Sequence, residues 1–324
     1  MGDTDIFDGC ARLCPESRIE TVVVGGPDAD DFLQRLLSCD LTCIERGSGS
    51  RGTLLDNKGR ILAYFDVQRV EQGLLIVIEQ EMVGVLTEQL ERLIILEDVE
   101  VVTGAYAVLS IQGPMAPSKA EQLSEVVPDS FLATVPWRGG QIANRPRCPS
   151  GGFDLIVPIE QADEIERELE AMSVPLASPE SSEQARIEVG LPRIGHEVTA
   201  RSLPPEVGLD DAISYDKGCY VGQEVLARIR TYGHVNRQLR CLSISVEEQA
   251  GIPSIEVGDD LFCTDDDAKV VAKVTSRAKG DGVVHLLASV KRSHTDEGTE
   301  LIWKGQAGQT SVRHSAAVRL PFHP

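Results

Sequence analysis

Apolar positions along the chain follow helical and strand periods in turn, and the order of those periods repeats. Residues 22–37, VVVGGPDADDFLQRLL, read as an apolar strand, a Gly-Pro step and an amphipathic helix, and residues 108–123, VLSIQGPMAPSKAEQL, give the same order. A second pair agrees more closely. Residues 73–91, GLLIVIEQEMVGVLTEQLE, and 152–170, GFDLIVPIEQADEIERELE, each run glycine, strand, polar break, helix. Ala162, Ile165, Leu169 and Met172 recur at helical spacing, as do Leu86, Leu90, Leu93 and Leu96. Both pairs come in the same order, which predicts a duplicated α/β unit with helices packed on mainly antiparallel sheets. Two copies are too few for a solenoid.

Asp56-Asn57-Lys58-Gly59, set between apolar runs, predicts a β-hairpin turn. Residues 178–190, SPESSEQARIEVG, predict a helix capped by Ser178 or Ser181, with acids in its first turn and Gly190 at its end. From residue 236 the pattern changes. LRCLSISV, DLFCT, KVVAKVTSRA, GVVHLLASV and TELIWKG are short β-rich runs separated by Gly and Asp turns, which predict a small β-barrel. The fold class is therefore α+β, with a duplicated α/β region over 1–235 and a barrel over 236–324. Asp265-Asp266-Asp267 reads as a solvated turn, since no cation-ligand spacing follows it.

A chain of 324 residues is long enough for two domains and a large core. Its net charge of −20 would repel phosphate backbones, so nucleic acid is not expected as the main partner. The opening MGDTDIFDGC lacks the apolar core of a signal peptide, and LLIVI at 74–78 is too short to cross a bilayer. The expectation is a cytoplasmic protein with no membrane partner. In that compartment the eight cysteines read as thiols. Cys10 and Cys14 are four apart, as are Cys39 and Cys43; they frame either a zinc site or a set of small buried side chains.

The densest chemistry lies in DKGCYVGQEVLARIRTYGH, residues 216–234. Cys219 sits between Gly218 and Tyr220, Lys217 stands two residues before it, and Gly222, Gln223, Glu224 and Arg228 follow. A thiolate is a nucleophile and a soft metal ligand, and an ammonium curled over it would lower its pKa. Glycines let backbone approach closely. A buried cysteine in a glycine-shaped turn explains the same residues, so the local pattern leaves both readings open.

The run RIEVGLPRIGHEV…LPPEVGLDDAISYDKGCYVGQEVLARI resembles the YgfZ-type folate-binding proteins, which include an iron–sulfur assembly factor. These are relatives of the aminomethyltransferase, or T-protein, of the glycine cleavage system. The resemblance is strongest over 186–240, with echoes in FLQRLLSCDL, LLDNKGRILA and IQGP. It implies a duplicated α/β folate-binding region followed by a small barrel around a central channel. It implies tetrahydrofolate or a derivative as ligand, with Glu188 of RIEVGL on the pterin ring, where a carboxylate suits two parallel donors. Arg237 falls near a family arginine that faces the folate carboxylates, with Arg240 close by, and Tyr220, Gln223 and Arg228 complete the expected folate-contacting set.

The same resemblance assigns Cys219, supported by Lys217, as a functional thiol. A cluster needs about four ligands, and no Cys or His accompanies Cys219 locally, so the expected role is a transient ligand to a cluster shared with a partner. His234 is a weak second ligand and reads better as an exposed side chain. The implied partners are a reduced folate and an iron–sulfur assembly protein or client enzyme.

One departure bears on activity. T-proteins carry paired aspartates after a Gly-Gly hairpin, whereas GRILAYFD places Ala63 and Tyr64 there. Asp66, on the same strand face as Tyr64, reads as a strand-end polar residue. Loss of such a carboxylate removes charge stabilisation and positioning, worth roughly a hundredfold or more in rate. The sequence therefore reads as a folate-binding accessory factor rather than an enzyme, with aminomethyl transfer as the alternative.

Overall fold

A computed structural model describes residues 9–13, 19–245, 254–266, 268–280, 282–307 and 310–319. The chain forms two compact units that interleave in sequence. The first takes the residues up to Ser182 together with Asp210–Thr231; the second takes Glu183–Leu209 together with the chain from Tyr232 onward.

The first unit carries the duplication. In chain order its elements are β1 (Ala11–Arg12), β2 (Ile19–Gly25), α1 (Ala29–Leu36), β3 (Gly49–Leu55), β4 (Ile61–Val70), β5 (Gly73–Glu79), α2 (Gln80–Leu93) and β6 (Glu100–Thr103). The second copy follows as β7 (Tyr106–Gln112), α3 (Ala116–Leu123), β8 (Thr134–Trp137), β9 (Gly140–Asn144), β10 (Gly152–Pro158) and α4 (Ala162–Ala171). The sheets run β3-β4-β5-β2-β6 and β8-β9-β10-β7-β1, all antiparallel. Each therefore repeats the other's order, and each predicted strand–helix pair falls on equivalent elements. Strand alternation divides the apolar residues. Leu109, Ile111, Leu155 and Val157 pack under α3 and α4, against Ala116, Ala120, Ile165 and Leu169. Val23, Leu75, Val77, Tyr106, Ala143 and Ile156 join sheet to sheet.

The helical period of Leu86, Leu90, Leu93 and Leu96 is cut short. Leu86 and Leu90 are fully buried, but α2 ends at Leu93 and Leu96 is 93% exposed. The Glu97 carboxylate accepts the backbone N–H groups of Ile95 and Leu96, which turns the chain out of the helix.

Helix α5 (Pro179–Val189) begins where Ser178 Oγ accepts the Ser181 N–H and ends at Gly190, whose φ is +75°. The second unit closes six antiparallel strands into a barrel, β11 (Arg237–Ser245), β14 (Val283–Lys291), β13 (Val270–Gly280), β12 (Asp260–Cys263), β15 (Glu300–Ala307) and β16 (Thr310–Arg319), in that spatial order. The first five match the β-rich runs of the sequence; β16 has no counterpart among them. Leu242, Ile244, Val274, Leu286, Val290, Leu301 and Trp303 fill its interior. A continuous boundary at 235 does not describe this arrangement. Ile187 packs with Leu239, Cys241 and Leu287 of the barrel, so burial draws 183–209 into the second unit. Among the described residues no helix is long and apolar enough to cross a membrane.

Candidate functional site

The thiol loop belongs to the first unit. It precedes helix α6 (Gln223–Tyr232), and Gly222 makes the turn into that helix at φ +85°. A Cβ on Gly222 would lie 2.8 Å from the Asp56 carbonyl oxygen and 3.0 Å from Gly59 Cα. Those two residues bound the predicted hairpin turn, which forms between β3 and β4 with Asp56 Oδ1 accepting the N–H groups of Lys58 and Arg60. Two separate stretches of the resemblance, LLDNKGRILA and KGCYVGQE, thus meet backbone to backbone, at a distance only glycine permits.

Lys217 does not curl over Cys219. Its Nζ donates to the carbonyl oxygens of Leu37 at 2.9 Å and Cys39 at 2.7 Å. It also lies 5.3 Å from the centre of the Tyr220 ring. Burial lowers the lysine's pKa, against the pull of Cys39 and Asp40. The expected activation of the thiol by Lys217 is therefore replaced by anchorage: the ammonium pins the loop to the chain after α1, and Cys219 itself is exposed. Tyr220 is buried, its pKa is pushed up to about 12 by burial, and its hydroxyl has no hydrogen-bond partner among the described residues. Gln223 donates to the Lys217 carbonyl at 3.4 Å, which again braces the loop, and Arg228 pairs with Glu224 on the exposed face of α6.

Glu188 and Arg237 lie in the second unit. Glu188 is a largely buried residue near the end of α5. Its Oε1 accepts from Gln184 Nε2 at 2.9 Å and lies 3.0 Å from His285 Nε2. Its Oε2 has no protein partner among the described residues. Arg237 donates Nη1 to the Ser289 carbonyl and pairs with no carboxylate among the described residues. His234 is exposed, as expected.

Tyr64 donates its hydroxyl to Glu79, and Ala63 is fully buried. Asp66 is not a strand-end residue, since β4 continues to Val70. It is buried between the two sheets, where Arg145 Nε donates to its Oδ2 at 2.6 Å. Gln68, two residues on, meets Gln141 of the other sheet, and Arg147 pairs with Asp154 beside them. The Phe131 ring lies 4.9 Å from the guanidinium carbon of Arg51 and 5.3 Å from that of Arg145. Burial brings the Arg145 pKa down to about 10, with Asp66 opposing and the charges of Arg51 and Arg147 adding. Sequence reasoning missed this network. Its one local signal is polar residues at 64, 66 and 68, on one face of a strand otherwise rich in apolar residues.

The cysteines make no metal cage among the described residues. Cys39 is buried while Cys43 is exposed. Cys14 and Asp267 lie outside the described residues, and with them the Cys10–Cys14 pairing and the full Asp265–Asp267 run.

Residues 11–217 match the family model described as the GCVT N-terminal domain. The tRNA-modifying protein YgfZ of Colwellia psychrerythraea is 25% identical over 236 residues, covering 72% of this chain and 71% of that protein. The aminomethyltransferase of Streptomyces avermitilis is 24% identical over 337 residues, covering 97% of this chain and 86% of that protein. The crystal structure of the glycine cleavage system aminomethyltransferase T from Bartonella henselae superposes with a TM-score of 0.81 at 21% identity, over 97% of this chain and 86% of that one. That likeness shows the duplicated α/β region and barrel as a shared fold. The match spans the whole duplicated region and runs into the thiol loop, and on it the chain belongs to the GCVT N-terminal domain family.

Proposed function

We propose that the protein is a tetrahydrofolate-binding accessory factor for iron–sulfur cluster assembly or repair, with Cys219 as its working thiol. The observation that carries this reading is the thiol loop. A buried lysine bonded to two carbonyls and a backbone-to-backbone glycine contact fix the loop, yet its cysteine faces solvent. Exposure alone does not single out Cys219, since Cys43 is exposed too; the bracing of its loop by Lys217 and Gly222 does. An exposed thiol on a braced loop suits a ligand offered to a cluster held chiefly by a partner.

Two groups of the second unit support a reduced folate as the bound ligand. Glu188 keeps one carboxylate oxygen for a pterin donor, and Arg237 keeps an unpaired charge for a carboxylate. Each has the polarity that its partner on such a ligand requires. Bound tetrahydrofolate would supply a reduced pterin able to carry one-carbon groups. The residues present bind and orient; they offer no paired acids at Ala63 and Tyr64, and Asp66 is committed to Arg145.

Complementation tests the thiol. In a strain lacking the corresponding gene, wild-type protein should restore the activity of an iron–sulfur enzyme under oxidative stress. Cys219→Ser, at equal protein level, should not; full rescue by the serine variant overturns the proposal. The names of the aminomethyltransferase relatives favour a second reading, aminomethyl transfer to folate. Methylene-tetrahydrofolate formed from an aminomethylated lipoyl carrier at a T-protein-like rate would establish it.

A further inference from the structure

The internal duplication gives the first unit two equivalent hairpin turns with different surroundings. The sheet orders make the β8–β9 turn the counterpart of the β3–β4 turn. The thiol loop docks on the β3–β4 turn, where Gly222 meets Gly59. The β8–β9 turn, Arg138-Gly139, instead borders an open cavity of about 350 Å³, together with Arg69 and Val70 at the far end of β4. Strand β4 runs ten residues between the two places, about 30 Å of extended chain, so the cavity is separate from the thiol site.

The cavity has a built floor. Tyr106, Thr134, Trp137 and Gln141 line it, and each is more than nine-tenths buried. Gln141 commits its Nε2 to Gln68, which leaves its Oε1 without a partner among the described residues. The Thr134 hydroxyl likewise makes no hydrogen bond among them. Arg138 forms the wall in a disfavoured conformation: its φ is +46°, in a turn that favours Asn, Asp or Gly. Its guanidinium carbon lies 4.8 Å from the centre of the Trp137 ring, and it pairs with Glu168 at 2.7 Å. Backbone held in such sparsely populated regions clusters at ligand sites.

The rim carries charge of both signs. Arg69 pairs with Asp30 and donates to the Ile44 carbonyl, which pins the loop bearing Arg46 beside the end of β4. Arg46 and Glu71 both line the cavity and are exposed, yet they form no ion pair with each other or with any other described residue. Opposite charges held apart on one cavity are complementary to a zwitterion. We infer that this cavity binds a free α-amino acid with an apolar side chain. Arg46 and the Thr134 hydroxyl are donors for its carboxylate, and Glu71 and Gln141 Oε1 are acceptors for its ammonium. Val70, Tyr106 and Trp137 offer apolar surface to its side chain. The inference uses the first unit alone and stands whether or not the protein binds folate.

Equilibrium dialysis of the full chain against radiolabelled L-phenylalanine, L-leucine and L-methionine, each separately, tests it. At least one should bind saturably. For the amino acid that binds, the analogue lacking the ammonium and the analogue lacking the carboxylate should each compete about tenfold more weakly or worse, a lost charge-assisted bond being worth roughly that factor. Arg46→Gln and Glu71→Gln should each weaken binding to a similar extent while melting as wild type does, since both side chains are exposed. No saturable binding of any of the three, analogues that compete as well as the amino acid itself, or affinity unchanged in either variant would each overturn the site.

Discussion

Asp66 and Arg145 form a buried ion pair, Oδ2 to Nε at 2.6 Å, that joins one repeat of the first unit to the other. A buried pair of this kind is weak evidence for stability in itself, because desolvation offsets attraction. Breaking it is another matter. Asp66→Ala leaves a fully enclosed guanidinium with the charges of Arg51 and Arg147 nearby, and should destabilise the protein by about 3–5 kcal/mol. The double variant Asp66→Leu, Arg145→Met should recover most of that loss. Denaturant midpoints measure both; equal losses in the single and double variants would contradict the pairing.

Lys217 is expected to act as an anchor. Lys217→Met leaves two buried carbonyls without their donor, worth about 1–3 kcal/mol each, partly offset because a charge is no longer buried. The net expectation is a loss of about 1–3 kcal/mol with faster amide exchange over residues 216–222. Unchanged exchange in that loop would show that the lysine does not hold it.

Gly222→Ala should cost more than an ordinary helix-boundary change. Its φ of +85° disfavours a side chain, and the new Cβ would meet backbone atoms of the Asp56–Gly59 turn. A loss of more than about 1 kcal/mol is expected, read from thermal or denaturant unfolding. A neutral result would mean the hairpin and thiol loop are not in contact.

Thiol reactivity separates the cysteines. Burial pushes the Cys10 and Cys39 thiols up to about 11, whereas Cys43 and Cys219 are exposed. Alkylation near pH 8 followed by mass spectrometry should label Cys43 and Cys219 first, since rate follows thiolate fraction and access. Labelling of Cys39 as fast as Cys219 would contradict the placement.

In the second unit, Glu183 is held below the usual carboxylate range. Burial pushes its pKa up, but hydrogen bonds from Arg186 and the charges of Arg186 and Arg193 outweigh it. A folded pKa below the unfolded value of about 4.3 contributes stability that is present above that pH and is lost as pH falls through the folded value. Glu183→Gln should flatten the acid limb of the stability curve there. An unaltered limb would show that the pair contributes nothing measurable.

The duplication and five of the six barrel strands were legible because each is a local pattern: a period, a turn residue, a cap. Strand β16 was not, since TSVRHSAAVR lacks a continuous apolar run. The end of α2 was missed because Glu97 turns the chain through side-chain-to-backbone bonds that periodicity does not register. The site divides along the same line. Cys219, Lys217 and Gly222 stood out as a motif, but the partners of Lys217 are carbonyls 180 and 178 residues away, which have no sequence signature. Asp66 and Arg145 are 79 residues apart, and neither announces the other. His285, which braces Glu188, sits in a barrel strand with no motif around it.

The central claim is that this chain binds a reduced folate through Glu188. Isothermal calorimetry with tetrahydrofolate under anaerobic conditions tests it directly. Wild type should bind one equivalent saturably, and Glu188→Gln, which places a donor where an acceptor is needed, should weaken binding by about 1–3 kcal/mol, roughly five- to 150-fold. Absence of saturable heat in the wild type, or equal affinity in a folded Glu188→Gln variant, would contradict the claim.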